Sequence, residues 1–111
     1  MAYRALNGLI GSFAFEQLTV TNAVKTLTSS VYNKADTGNS GNQVTRKIAK
    51  FAYISVEGDQ IRFTLDGTTP STTVGHRMNV DDTLTLESED DIRNFKAFRI
   101  TTDATINVTY A

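Results

Sequence analysis

The chain has 111 residues, with eleven basic and twelve acidic side chains, a formal charge of −1 and 40% hydrophobic composition. That length predicts one domain with a core of its own, and the even charge balance gives no bulk attraction to nucleic acid. Lack of cysteine excludes disulfides, thiolate metal sites and cysteine nucleophiles.

That lack fits a chain made and kept in a reducing cytosol. No apolar stretch approaches the ~20 residues that a membrane-crossing helix requires, so a soluble protein is expected. "MAYRALNGLIGSFAF" has no charged region followed by a long apolar run, and does not read as a secretory signal. Gly8 and Gly11 argue against a helix there, so residues 1–12 are expected to form an irregular arm before a domain spanning 13–111.

Strand formers dominate that domain, because Thr, Val, Ile, Tyr and Phe suit a pleated surface. Phe13 to Thr21 reads as a first strand and Val24 to Asn33 as a second, with a bend at Asn22-Ala23. Asn33 to Gln43 is polar and glycine-rich, as an exposed hairpin tip would be. Arg46 to Gly58 reads as one long strand, apolar on both faces. Ile48, Ala52, Ile54 and Val56 share one parity, while Ala49, Phe51 and Tyr53 share the other. Such a strand is central in a core, or has one face covered by another subunit.

"EGDQ" then predicts a tight hairpin into "IRFTL", with Ile61, Phe63 and Leu65 inward. After a loop at Asp66, Val74 to Val80 reads as a short edge strand, and "VDD" turns the chain into Leu84 and Leu86. Glu87 to Phe95 is an acidic connection with room for one helical turn. Phe95 to Thr102 and Thr105 to Ala111 complete the set, joined at Asp103-Ala104. Short strands near ten-residue spacing predict an all-β antiparallel sandwich, immunoglobulin-like or jelly-roll-like, of roughly seven to nine strands.

Chemistry-bearing residues are sparse. His76 is the lone histidine and cannot build an imidazole zinc site by itself. A triad with Ser71 lacks any nucleophile-elbow sequence. His76 is therefore expected to pack or cap at a strand end, and no catalytic residue is assigned. Glu87, Glu89, Asp90 and Asp91, with Asp81 and Asp82, miss the spacing of a calcium loop and read as solvated turns. Arg46, Lys47 and Lys50 form a compact basic run that fits a protected strand edge. No metal or cofactor is expected.

Asp66, Gly67, Thr69, Pro70 and Gly75 are read as a structural turn. Asp accepts from amides two residues on, Gly takes the positive φ, and Thr68 and Thr69 satisfy further backbone groups. Pro70 stiffens the exit. "TLDGTTPS" is similar to a corner in the chitobiase C-terminal type of immunoglobulin-like sandwich. More extensively, the half from Glu57 to Ala111 resembles small structural proteins of tailed-bacteriophage virions. The shared residues are Asp66, Gly67, Thr69, Pro70, Val74, Gly75 and His76, then Asp82, Leu84 and Leu86. They continue as Ile92, Phe95, Ala97 and Arg99, then Ala104, Thr105, Val108, Thr109 and Tyr110. Asp81 stands where those proteins usually have glycine, and Ala111 where they have an aromatic. Residues 1–45 carry no such motif.

The resemblance implies a non-enzymatic capsid decoration (cement) protein, made in the host cytoplasm and carried on the capsid surface. Its implied partners are the major capsid protein or another virion protein and further copies of itself, with no nucleic acid or membrane. A neck or tail location is the nearest alternative. A carbohydrate-binding module is another, for which Tyr3, Tyr32 and Tyr53 are the tempting aromatics; a small hydrolase is a distant third. Leu6, Leu9, Ile10 and Phe13 in the apolar arm are the expected docking residues.

Overall fold

Alternation of apolar and polar side chains decides most of the strands. In the last, Ala104, Ile106, Val108 and Tyr110 are buried, while the Thr and Asn residues between them face outward. The computed structural model describes residues 11–36 and 45–111. In chain order the elements are β1 (Ala14–Val20), β2 (Lys25–Thr26), α1 (Ser29–Tyr32), β3 (Asn33–Asp36), β4 (Thr45–Ile48) and β5 (Ala52–Glu57). Then come β6 (Ile61–Thr64), β7 (His76–Met78), β8 (Thr83–Leu86), α2 (Glu89–Asn94), β9 (Lys96–Arg99) and β10 (Ala104–Tyr110).

Two four-stranded sheets result, ordered β1-β10-β5-β8 and β2-β9-β6-β7, and every pairing is antiparallel. β3 and β4 form a separate two-stranded hairpin. With that hairpin set aside, the first strand pairs with the last and the second with the last but one. The third and sixth complete one sheet, and the fourth and fifth complete the other. This is the strand order of a jelly roll, and it decides between the two sandwich types that the sequence allows.

The order corrects one expectation. β5 and β6 do not form a hairpin: β5 lies between β10 and β8, while β6 lies between β9 and β7. Both edges of β5 are occupied, so the turn at Gly58 (φ +89) arches from one sheet to the other. Asp59 fastens it, its carboxylate accepting from the Thr102 amide (3.0 Å) and hydroxyl (2.6 Å) in the β9–β10 connection. These bonds hold the Asp59 carboxyl below its ordinary range.

Two expected strands divide. In the segment 24–33 only Lys25–Thr26 pairs with β9; Leu27 drops into the core, and Ser29–Tyr32 makes one helical turn. The long strand at 46–58 breaks at residues 49–51. There the Ala49 amide donates to the Tyr32 carbonyl (2.8 Å), and the Lys50 and Phe51 amides donate to the Ala111 carbonyl (2.8 and 2.9 Å). Its two-faced apolar pattern is thus the sum of two strands with different surroundings. Ile48 in β4 is 44% exposed, whereas Ala52, Ile54 and Val56 in β5 are buried.

The acidic connection holds α2. Ser88 caps it by accepting from the Asp91 amide (3.1 Å), and Ile92 enters the core. Directly opposed residues build the core in rows: Leu18, Ile106 and Val56; then Val108, Ile54 and Leu84; then Tyr110, Ala52 and Leu86. The second sheet answers with Ile61, Phe63, Met78 and Ala97, and Phe63 stacks on Phe95 with ring centroids 5.9 Å apart. Each large side chain buried here contributes about 1.5–3 kcal/mol.

One inward position is charged. Glu16 in β1 accepts from the Tyr110 hydroxyl (2.5 Å) and from the Thr28 amide (3.1 Å) at the start of α1. Burial, then the Glu16 carboxylate, pushes the Tyr110 phenol far above its ordinary value. The folded state therefore favours the neutral phenol. That stabilisation is complete below the unfolded pKa of ~10 and is lost as pH rises beyond it.

Tyr110→Phe removes this donor from a half-buried carboxylate and is expected to cost about 1–3 kcal/mol. Urea midpoints between pH 7 and 11 should also show a shallower alkaline loss in the variant than in the parent. Asp81, in the arch between β7 and β8, has φ +72, which strains any side chain other than glycine. Asp81→Gly should raise stability by about 0.5–1 kcal/mol in the same assay.

Candidate docking surface

The Asp66 corner is a rigid piece of backbone. The Asp66 carboxylate accepts from the Thr68 amide (3.0 Å), and Gly67 has φ +90. Thr64 donates its hydroxyl to the Thr68 carbonyl (2.5 Å), and Pro70 is buried. Further along, the Ser71 hydroxyl accepts from the amides of Thr73 (3.3 Å) and Val74 (3.1 Å). Two cations brace the loop from the sheet: Lys96 donates to the Gly67 carbonyl (3.1 Å), and Arg62 to the carbonyls of Gly75 (3.1 Å) and Thr72 (3.4 Å). Thr69 is exposed at the tip.

His76 opens β7, and its ring lies against Phe63 with centroids 5.4 Å apart, so it packs at a strand end. Ser71 spends its oxygen on the loop backbone. The arrangement builds architecture and presents Asp66 to Thr69 and Thr72 to Val74 to solvent.

The acidic residues are distributed along the fold. Glu89 pairs with Lys50 (3.2 Å) and Asp90 with Arg93, while Asp82 accepts from the Asn79 amide (2.8 Å). Among the described residues, no three of His, Asp and Glu come together in a way that would hold a metal ion.

Of the four expected docking residues, Leu6, Leu9 and Ile10 lie outside the described residues. Phe13 is half-buried; its amide donates to the Tyr110 carbonyl (2.9 Å), and its ring packs against the edge of the core. Ser12, Phe13, Lys47, Ile48, Lys50 and Ala111 line an open groove there. The arm thus enters the domain beside exposed Ile48, the side of the hairpin strand that the core does not cover.

Sequence reasoning missed a second surface. Phe15, in the middle of an edge strand, is 60% exposed on the outer face of the first sheet. It stands opposite Thr109, which stands opposite Tyr53 and, beyond it, Thr85. The signal lay in parity. Leu18 and Val20 bury the even positions of β1, which turns Phe15 outward and Glu16 inward. The sheets' two outer faces also differ in charge. Arg62, Arg77 and Lys96 point outward from the second sheet, whereas no Lys or Arg does so from the first.

Gly67→Val should destabilise the domain by about 1–3 kcal/mol, through backbone strain alone, since open space surrounds that position. Gly75→Val should cost more, about 3 kcal/mol or above. At Gly75 φ is +119, and a Cβ would lie 2.9 Å from the Phe63 carbonyl. Thermal midpoints of the two variants give the ranking. No family model, curated protein or solved structure matches this chain.

Proposed function

We propose that this chain is a non-enzymatic structural protein of a tailed-bacteriophage virion, a decoration protein that reinforces the capsid through protein–protein contacts. The observation that carries the reading is the coherence of the motif from Asp66 to Tyr110. Its polar members occupy the corner, and its apolar members Leu86, Ile92, Phe95, Ala97, Val108 and Tyr110 are core residues. Asp81 adds support: it has the positive φ that glycine adopts freely, at the place where the resembling proteins have glycine.

A decoration protein must hold its shape on a lattice and offer a surface to it, and the jelly roll suits both demands. Its first strand begins at Ala14 and pairs along its whole length with β10. In this reading the arm serves docking, with Leu6, Leu9 and Ile10 as its apolar contacts and the groove beside Phe13 and Ile48 as its root. The occupants of that docking contact are the major capsid protein or a neighbouring copy.

Deleting residues 1–11 should leave a folded sandwich, with a β-sheet far-ultraviolet spectrum and a cooperative melt, that no longer decorates capsids or assembles. Full occupancy of particles by the truncated chain would refute arm docking. Antibody labelling of purified virions places the protein: label over the head supports decoration, and label confined to the neck or tail replaces it with that location.

A further inference from the structure

We infer that the outer face of the β1-β10-β5-β8 sheet is a binding face for neutral oligosaccharides. The inference stands apart from the virion reading, since it rests only on the residues that the strand register brings together.

Two adjacent rows cross this face. The first is Phe15, Thr109, Tyr53 and Thr85, which puts two aromatic rings on alternate strands with Thr109 between them. Alternate strands are ~10 Å apart, a reach that spans two successive pyranose rings. The C–H face of a pyranose is apolar and stacks on an aromatic ring, and Phe15 is the most exposed large hydrophobic side chain described.

The second row, Gln17, Asn107, Ser55 and Thr83, supplies directional polarity, joined by Glu57 from the row beyond. Gln17 donates its amide to Asn107 (2.9 Å), and Asn107 donates to Glu57 (3.4 Å). These contacts fix each amide's orientation. They leave the Gln17 carbonyl oxygen, further amide N–H groups and the second Glu57 oxygen able to meet sugar hydroxyls. An amide both accepts from and donates to sugar hydroxyls, and a carboxylate accepts from them, as a saccharide edge requires, beside rings that take its apolar face.

Charge narrows the ligand. Among the outward residues of the four strands Glu57 is the one acidic residue and none is Lys or Arg, so a uronate, sulfate or phosphate group meets no cation there. The opposite face, with Arg62, Arg77 and Lys96, is the one that an anion would choose. A second copy of the chain is the rival occupant of the first face, and the test separates it.

The full chain is titrated with cellohexaose, chitohexaose, maltohexaose and xylohexaose, and with polygalacturonate for comparison, by calorimetry and amide chemical shifts. At least one neutral oligomer should bind, shifting amides of β1, β10 and β5. Phe15→Ala should weaken it by about tenfold, or ~1.4 kcal/mol, and Asn107→Ala by a similar factor, with melting unchanged for the exposed Phe15. Failure of every neutral oligomer at millimolar concentration overturns the inference, as does polygalacturonate binding that shifts the amides of β1, β10 and β5 more strongly than any neutral oligomer does. Self-association of the sugar-free parent that Phe15→Ala abolishes would assign the face to a second copy instead.

Discussion

The sandwich depends on the last strand entering between the first and the fifth. β10 occupies the second place in its sheet, with β1 on one side and β5 on the other, and its end is held by the Tyr110–Glu16 hydrogen bond. A carboxylate facing inward on an edge strand is costly without partners. Here it has two, the phenol at the end of the chain and the Thr28 amide where the chain leaves β2. One side chain thus ties β1 both to the start of α1 and to the last strand, the latter 94 residues away. It also guards the open edge of β1, since an inward charge discourages pairing with another strand. The sheet cannot close until the C-terminal residues arrive, and folding that awaits such distant contacts is slow by nature.

Both sheets present an outer face, and the two have unlike chemistry. Loop contacts and cations mark one: Arg62 and Lys96 hold the Asp66–Gly75 loop through carbonyl groups, which engages part of their N–H donors and leaves their charge in place. Rings, hydroxyls and amides mark the other. Together with the groove beside Phe13 and Ile48, the two faces make three chemically distinct surfaces on a small domain.

Much of the fold was legible in the residues. The alternation in β6, β8 and β10, the turn at Asp66-Gly67 and the helical turn in the acidic connection are all local. Each depends on side chains a few positions apart. Less was legible where one segment serves two environments. Arg46 to Gly58 read as one strand because its apolar residues run on without a break. The backbone divides it only because the Tyr32 and Ala111 carbonyls take its amides at residues 49–51. Phe15 was hidden for a related reason: Phe13 and Phe15 share a parity that Leu18 and Val20 contradict, and no local rule says which pair the core will accept.

By itself the sequence determined that this chain forms short antiparallel strands, where it turns, and which residues of most strands are buried. Those are properties of period-two patterning and of Gly, Asp and Pro at particular places, and they act over a handful of residues. Tertiary structure alone decided the rest. The Gly58-Asp59 turn serves equally as a hairpin or as an arch, and it became an arch because β10 and β8 had filled both edges of β5. That choice sets the jelly-roll order and the pairing of Phe15 with Thr109 and Tyr53. Partner choice is settled by competition among all the strands for the same edges, and no segment read alone contains its outcome.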